Sequence, residues 1–200
     1  MSFAREVGRA VRFTLVLWVL TALVYPLVMV AIGQIVFPFQ ANGSLLSNAQ
    51  GQVVGSALIG QPFTSDRYFH SRPSTTRYST ADPSHDAAGI LNTGVSGASN
   101  WAPTNPELRQ RVQDTAAELQ RVGIQPTADL LYRSGSSLDP HITPEAARAQ
   151  MARVAAARGL PANQVEILVA QNTEGRFLGI FGEPGVNVLR LNLALDAIKH

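Results

Sequence analysis

FTLVLWVLTALVYPLVMVAI, residues 13–32, decides the architecture of this chain. No charged side chain stands between Phe13 and Ser65. As a helix, this stretch of twenty residues rises about 30 Å, the hydrocarbon thickness of a bilayer. A cleaved signal peptide is the alternative, but its apolar core runs only about 7–15 residues. No convincing A-x-A site follows here, so an uncleaved anchor is the better reading. Pro26 lies mid-span. It withholds a backbone donor and predicts a local kink. Gly33, Gln34 and Pro38 read as a frayed exit, with Phe37 and Phe39 suited to the outer interface. A single span encloses no pore, so a role in transport would require other subunits.

Charge orients the span. Arg5, Arg9 and Arg12 precede it, and no Lys or Arg follows until Arg67. The positive-inside rule then makes residues 1–12 a cytoplasmic N-terminus, 13–37 the transmembrane helix and 38–200 an extracytoplasmic domain.

Composition removes several chemistries. The only lysine is Lys199, so a P-loop lysine, and a Schiff-base lysine away from the C-terminus, are both excluded. There is no cysteine, which excludes thiol catalysis, disulfides and Cys-based zinc sites. A net charge of +2, with no basic run, does not suit nucleic acid.

Beyond the span, Gln52–Ile59 has the β-branched content of a strand. Residues 60–105 are rich in Gly, Ser, Thr, Asn and Pro, with Phe63, Tyr68, Phe69, Tyr78 and Trp101 interspersed. So long a stretch reads as an ordered functional surface. Thr104 and Glu107 have capping-box spacing, and Pro106 fits a first turn. They open a helix with an apolar stripe at Leu108, Val112, Thr115, Leu119 and Val122, closed by Gly123. Ala128–Tyr132 reads as a short strand. A second helix opens at Thr143-Pro144-Glu145 and closes at Arg158-Gly159, and Gln164–Ala170 suits a third. Phe177–Phe181 reads as a strand. So does Val186–Leu195, where Leu189, Leu191, Leu193 and Leu195 alternate. The expected fold class is α+β, one N-terminal transmembrane helix followed by a small mixed domain.

Catalytic chemistry is weakly encoded. Asp139-Pro140-His141 follows Ser134-Gly135-Ser136-Ser137, so a membrane-anchored extracytoplasmic hydrolase would use a serine, His141 and Asp139. Residues two apart rarely place the acid on the far imidazole nitrogen, and no G-x-S-x-G elbow exists. The competing reading is that Asp139 and the serines turn the chain into the Thr143 helix. His70, Asp82, His85 and Asp86 lack metal-ligand spacing and read as surface polar residues. No catalytic or metal residue is therefore expected. Asn42-Gly43-Ser44 matches a glycosylation sequon, which matters only in a secreted eukaryotic protein. A structural envelope protein is the third functional class.

Longer motifs carry more. They are Gly55-Ser56-Ala57-Leu58-Ile59-Gly60-Gln61, Tyr68-Phe69-His70-Ser71-Arg72-Pro73-Ser74, and Ser99-Asn100 with Pro103-Thr104-Asn105-Pro106. Ser134 to Ile142 follows, then Gln150 with Arg153-Val154-Ala155 and Ala157-Arg158. Gly182-Glu183-Pro184 and Val186-Asn187-Val188-Leu189, leading to Leu191-Asn192-Leu193-Ala194-Leu195, close the series. In this order, behind an N-terminal span, they resemble the C subunit family of the bacterial Kdp potassium-transporting ATPases. The chain departs from that pattern in four places. Ser137 stands where Gly is expected, Trp101-Ala102 where Leu-Gly is usual, Thr143 for Ser, and Gly185 for a basic residue.

The resemblance implies a non-catalytic accessory subunit of an inner-membrane, ATP-driven potassium uptake complex. Its implied partners are a channel-like potassium-binding subunit, a P-type ATPase subunit, a small single-span subunit and the lipid bilayer. It implies help in assembly and a chaperone effect on ATP binding by the ATPase subunit. No cofactor of the chain's own is implied, ATP acting through the complex. Ser134, Ser136 and Gln150 are the weak candidates for direct nucleotide contact. Tyr68, Phe69, Trp101 and Pro26 are the expected partner contacts.

Overall fold

Apolar composition and helical propensity carry the first residues into one long helix, Phe3–Val36. In this computed structural model, which describes residues 3–79 and 94–198, that helix is α1 (Phe3–Val19), a π-turn (Leu20–Val24) and α2 (Tyr25–Val36). The π-turn lies where a proline kink is expected. Pro26 cannot donate, and its ring clashes with the carbonyl four residues back. Widening the preceding turn relieves both, and the Tyr25 N–H donates to the Leu20 carbonyl five residues back. Thr21 Oγ1 donates to the Leu17 carbonyl at 2.8 Å, satisfying its hydroxyl inside the helix. The exit is not frayed. Short α3 (Pro38–Ala41) follows at once, and Asn42 Nδ2 donates to the Pro38 carbonyl at 2.6 Å and to Gln34 Oε1 at 3.1 Å.

The chain divides into two units, Met1–Leu45 and Leu46–His200. A two-stranded ribbon of β1 (Leu45–Ser47) with β2 (Val53–Ser56) begins at the boundary residue Leu45. β2 is shorter than expected because Ser56 Oγ accepts the Leu58 N–H and turns the chain. Next comes α4 (Pro106–Arg121). Its cap is Asn105, not Thr104: the Asn105 side chain accepts the Glu107 N–H at 2.8 Å. Ala128–Leu131 is a helical turn, α5, where a strand was expected. After β3 (His141–Ile142), α6 (Pro144–Arg158) starts and stops as its sequence dictates. Thr143 caps it through the Ala146 N–H, and Gly159 ends it in the left-handed region. α7 (Ala162–Gln171), β4 (Thr173–Glu174), β5 (Gly185–Asn187) and α8 (Val188–Asp196) complete the domain.

Two further expected strands fail for physical reasons. In Val188–Asp196 the leucine alternation coincides with a helical face, since Val188, Leu189, Leu191, Asn192 and Leu195 are the buried set and Leu193 is only partly buried. Asn187 decides between the two by accepting the Arg190 N–H as an N-cap. Phe177–Phe181 is a tight hairpin tip joined only to itself by a single bridge.

β5 is central in an antiparallel sheet of order β3-β5-β4, with Ile142 opposite Val186 and Thr173 opposite Val186 on the other side. α6, α7 and α8 pack around it over a core that includes Ile142, Val154, Val165, Val186, Val188, Leu191 and Leu195. The α+β class holds. Residues 60–79 cross this core without forming a strand. Gly60 begins the crossing where the backbones touch: its N–H donates to the Leu138 carbonyl at 2.8 Å, and a Cβ there would sit 2.5 Å from the Asp139 carbonyl oxygen.

Candidate functional site

An extended segment needs partners for its backbone groups. Around residues 66–71 two buried amides supply what a neighbouring strand would. Asn192 Oδ1 accepts the Phe69 N–H at 2.9 Å and its Nδ2 donates to the Phe69 carbonyl at 3.0 Å. Gln150 does the same for His70, at 2.8 and 3.1 Å. Arg153 donates to the Asp66 and Tyr68 carbonyls, and Arg158 to that of Arg67. Among the residues expected at a site, Gln150 is therefore a buried structural clamp. Phe69 is fully buried in the core, so it offers no surface to a partner. Ser134 is also buried; its N–H donates to the Pro73 carbonyl, and its hydroxyl lies 3.2 Å from that of Ser136, which is exposed.

The remaining contact candidates keep some exposure. Tyr68 is half-buried. Its hydroxyl donates to Asp196 at 3.0 Å, its ring lies 4.8 Å from the Arg158 guanidinium, and Phe63 is 5.5 Å away. Burial, then the Asp196 carboxylate, pushes the Tyr68 phenol up. Trp101 sits between the guanidinium groups of Arg111 and Arg133, 6.0 and 5.7 Å from its ring centre. Pro26 is lipid-length helix, with no buried neighbour.

A charged cleft of about 230 Å³ is lined by Arg72, Asp139, His141 and Glu183, from three of the sequence motifs, and by Asp129 and Glu174 from outside them. Asp139 Oδ1 accepts the His141 N–H at 3.0 Å and so shapes the turn into β3. Its Oδ2 takes Arg72 at 3.0 Å, with Asp129 3.7 Å from the same guanidinium. The His141 ring nitrogens lie 3.8 Å from Asp139 and 3.4 Å from Glu174. Glu174 in turn meets Arg190 at 3.1 Å. Gly185 leaves the room His141 needs, since a Cβ there would stand 3.3 Å from the imidazole-bearing carbon. Asp139 raises the His141 pKa, burial opposes that, and Glu174 adds to it, leaving the imidazole above its ordinary value. Burial pushes Asp139 up, but bonds from His141 and Arg72 outweigh it and hold the carboxyl below the usual range.

What this cleft can do chemically is narrow. His141 has two acidic neighbours and no serine hydroxyl bonded to it among the described residues. Ser137 is turned away, donating to the Gly97 carbonyl at 2.6 Å and accepting the Thr75 N–H. The arrangement ties the 60–79 segment to β3, β4 and α8 by charge. Of the suggested metal ligands, Asp82, His85 and Asp86 lie outside the described residues. His70 is half-buried, with its Nε2 3.2 Å from the Ser65 carbonyl; burial, then Arg153, holds its pKa low. No cluster of three ligating side chains occurs among the described residues.

The motif residues are thus the ones that hold the domain together, and they extend over almost its full length. The family model described as K+-transporting ATPase, c chain, matches residues 7–197. The chain belongs to the KdpC family. It is 68% identical to the potassium-transporting ATPase KdpC subunit of Microcystis aeruginosa, over 100% of this chain and 99% of that one. It is 67% identical to KdpC subunit 1 of a Nostoc species, with the same coverage. Against the KdpC subunit of Rhodopseudomonas palustris, identity is 48% over 98% of this chain and 99% of that one. Membership makes the chain a subunit of a potassium-transporting ATPase complex, associated with a membrane.

Sequence reasoning missed the parts of the KdpC domain that only folding brings together. Glu174 stands in no quoted motif and reaches His141 from another strand. Asn192 looked like one polar residue in a leucine run. Its signal was its burial-prone place on a helix stripe, four residues after Val188 and three before Leu195.

Proposed function

We propose that this chain is a non-catalytic accessory subunit of a high-affinity, ATP-driven potassium uptake complex in a bacterial inner membrane. It assists assembly and raises the ATP affinity of the P-type ATPase subunit. The observation that carries this reading is the pairing of an end-to-end family match with a helix, Phe3–Val36, that buries no side chain of its own. Such a helix needs lipid and partner helices around it. Its partners are the channel-like potassium-binding subunit, the ATPase subunit and the small single-span subunit. Tyr68, Trp101 and Pro26 are the contacts proposed on this side of the interface.

Arg5, Arg9 and Arg12 support a cytoplasmic N-terminus and an extracytoplasmic domain. ATP is a cytoplasmic substrate, so the effect on its binding travels through the membrane helices of the complex. The polar atoms of Gln150 are already spent on His70, Ala146 and Arg153, which leaves it nothing to offer a nucleotide.

The test is reconstitution of the ATPase complex with and without this chain. The KM for ATP should be lower with the chain present, and kcat little changed. Equal KM values in a fully assembled complex would defeat the chaperone reading. Protease added to intact spheroplasts should digest the domain; digestion only in inside-out vesicles would reverse the orientation.

A further inference from the structure

The arginines that this domain draws in from solvent mostly come with a carboxylate. Arg72 meets Asp139, Arg153 meets Asp66, Arg158 meets Asp196 and Arg190 meets Glu174. Arg111 and Arg133 break the pattern. Both are partly buried, and neither has an acidic partner among the described residues. Arg111 donates to the Leu131 carbonyl at 3.0 Å, while the Arg133 side chain meets no hydrogen-bond acceptor among the described residues. The Trp101 ring, 6.0 and 5.7 Å from the two guanidinium groups, softens their repulsion and supplies no countercharge. Burial, then the charge of Arg133, holds the Arg111 pKa below its ordinary value.

Both side chains line one cavity of about 560 Å³, together with Arg77 from the crossing segment. Three stretches remote in sequence therefore bring guanidinium groups to one place, and no carboxylate lines it among the described residues. Thr115, one turn along α4 from Arg111, adds a hydroxyl, and Phe63, Pro73 and Tyr78 form apolar walls. Such walls lower the local dielectric and strengthen any charge pairing made between them. The wall that carries Arg77 and Tyr78 runs through Ser79 at φ 51°, 58° and 53°, a sparsely populated conformation found at ligand clamps. A guanidinium is a planar fork of N–H donors that fits two oxygens of an oxyanion. The uncompensated charge of Arg111 and Arg133 matches a dianion, and one shared cavity asks that both negative charges sit on one compact group. We infer that this cavity binds a phosphate dianion, either free or as the end group of a small monoester. The site is separate from the Asp139–His141 cleft, and it stands whether or not the accessory-subunit reading does.

Isothermal titration calorimetry of the detergent-solubilised full chain tests this in physiological chloride, with inorganic phosphate and phenyl phosphate as probes. The pH is set so that both probes are dianions. One saturable site per chain is expected. Tighter binding of phenyl phosphate assigns the apolar walls to the body of a monoester; tighter binding of inorganic phosphate assigns the free ion. Dimethyl phosphate, a monoanionic diester like that of most lipid headgroups, should bind about tenfold more weakly. Arg133→Gln should weaken phosphate binding by about tenfold as well, with thermal unfolding of the ligand-free chain unchanged. Arg133→Lys keeps the charge without the fork and should fall between Arg133→Gln and the unaltered chain. Arg111→Gln also releases the Leu131 carbonyl, so Arg133 is the deciding position. No saturable heat, equal affinity for dimethyl phosphate, or undiminished affinity in Arg133→Gln would each overturn the site.

Discussion

The membrane helix and α6 are both helices of ordinary composition for their kind, yet they treat their side chains in opposite ways. Phe3–Val36 buries none of its residues, its leucines, valines and aromatics all facing outward. α6 buries six, and two of these are Gln150 and Arg158. The first helix satisfies its backbone internally and leaves its apolar surface to a lipid or protein partner. The second buries polar groups because an extended neighbour has backbone donors and acceptors that no strand meets. The difference separates residues that specify the domain from residues that specify its surroundings. It also predicts which substitutions change folding and which change only assembly.

The largest effect is expected where the 60–79 segment enters the core. Phe69→Ala removes a fully buried ring and should cost about 3–5 kcal/mol in domain stability. Thermal unfolding of the detergent-solubilised chain, followed by circular dichroism, reads this directly. A loss below about 1 kcal/mol would mean that the ring is a surface contact after all. Gln150→Leu comes next. It keeps the volume but orphans the N–H and carbonyl of His70, each about 1–3 kcal/mol when buried, for an expected total near 3. Protection of the His70 amide against hydrogen exchange should fall with it. If that amide stays protected, water or Arg153 has replaced the clamp.

The contrast also marks what the sequence could convey. α6 was legible because Thr143, Pro144 and Gly159 are local signals whose physics needs no tertiary partner. The span was legible for the same reason. α8 was misread because Leu189, Leu191, Leu193 and Leu195 satisfy a two-residue period, while burial follows the helical spacing of Val188, Leu189, Leu191, Asn192 and Leu195. Phe69 looked like a surface aromatic because its segment has a loop's composition. Its burial depends on Asn192, 123 residues away. The charged cleft was half legible: Asp139 and His141 lie in one motif, but Glu174 arrives through sheet pairing and Arg72 through the crossing segment.

A smaller effect on folding, though not on assembly, follows from the other half of the comparison. Replacing residues 13–32 with a poly-leucine helix of equal length should leave domain unfolding unchanged, because the span contributes nothing to the core cluster. Retention by the partner subunits should weaken, since the π-turn, Thr14, Thr21 and Pro26 disappear together. Unchanged retention and transport would reduce the span to a tether.

The smallest effect belongs to the cleft, and its sign can be worked out. The folded domain holds His141 above its ordinary pKa of about 6.5, through Asp139 first and Glu174 next. A group whose pKa is raised by folding adds stability that is fully present below its unfolded value. That contribution disappears as pH climbs through the folded value. The stability lost in His141→Gln should therefore be greatest near pH 6 and shrink as pH rises toward 9. Asp139 does not confuse this window, because its own lowered pKa places its transition in acid. The imidazole is about a third exposed, with side-chain accessibility of 35%, so solvent screening keeps the shift modest. Denaturant midpoints for both proteins, taken at intervals across that range, give the comparison. Asp139→Asn should flatten the wild-type dependence by removing the dominant carboxylate. A difference between wild type and His141→Gln that stays constant or grows with pH would show that the imidazole is held neutral in the cleft, and that its carboxylate neighbours do not pair with it.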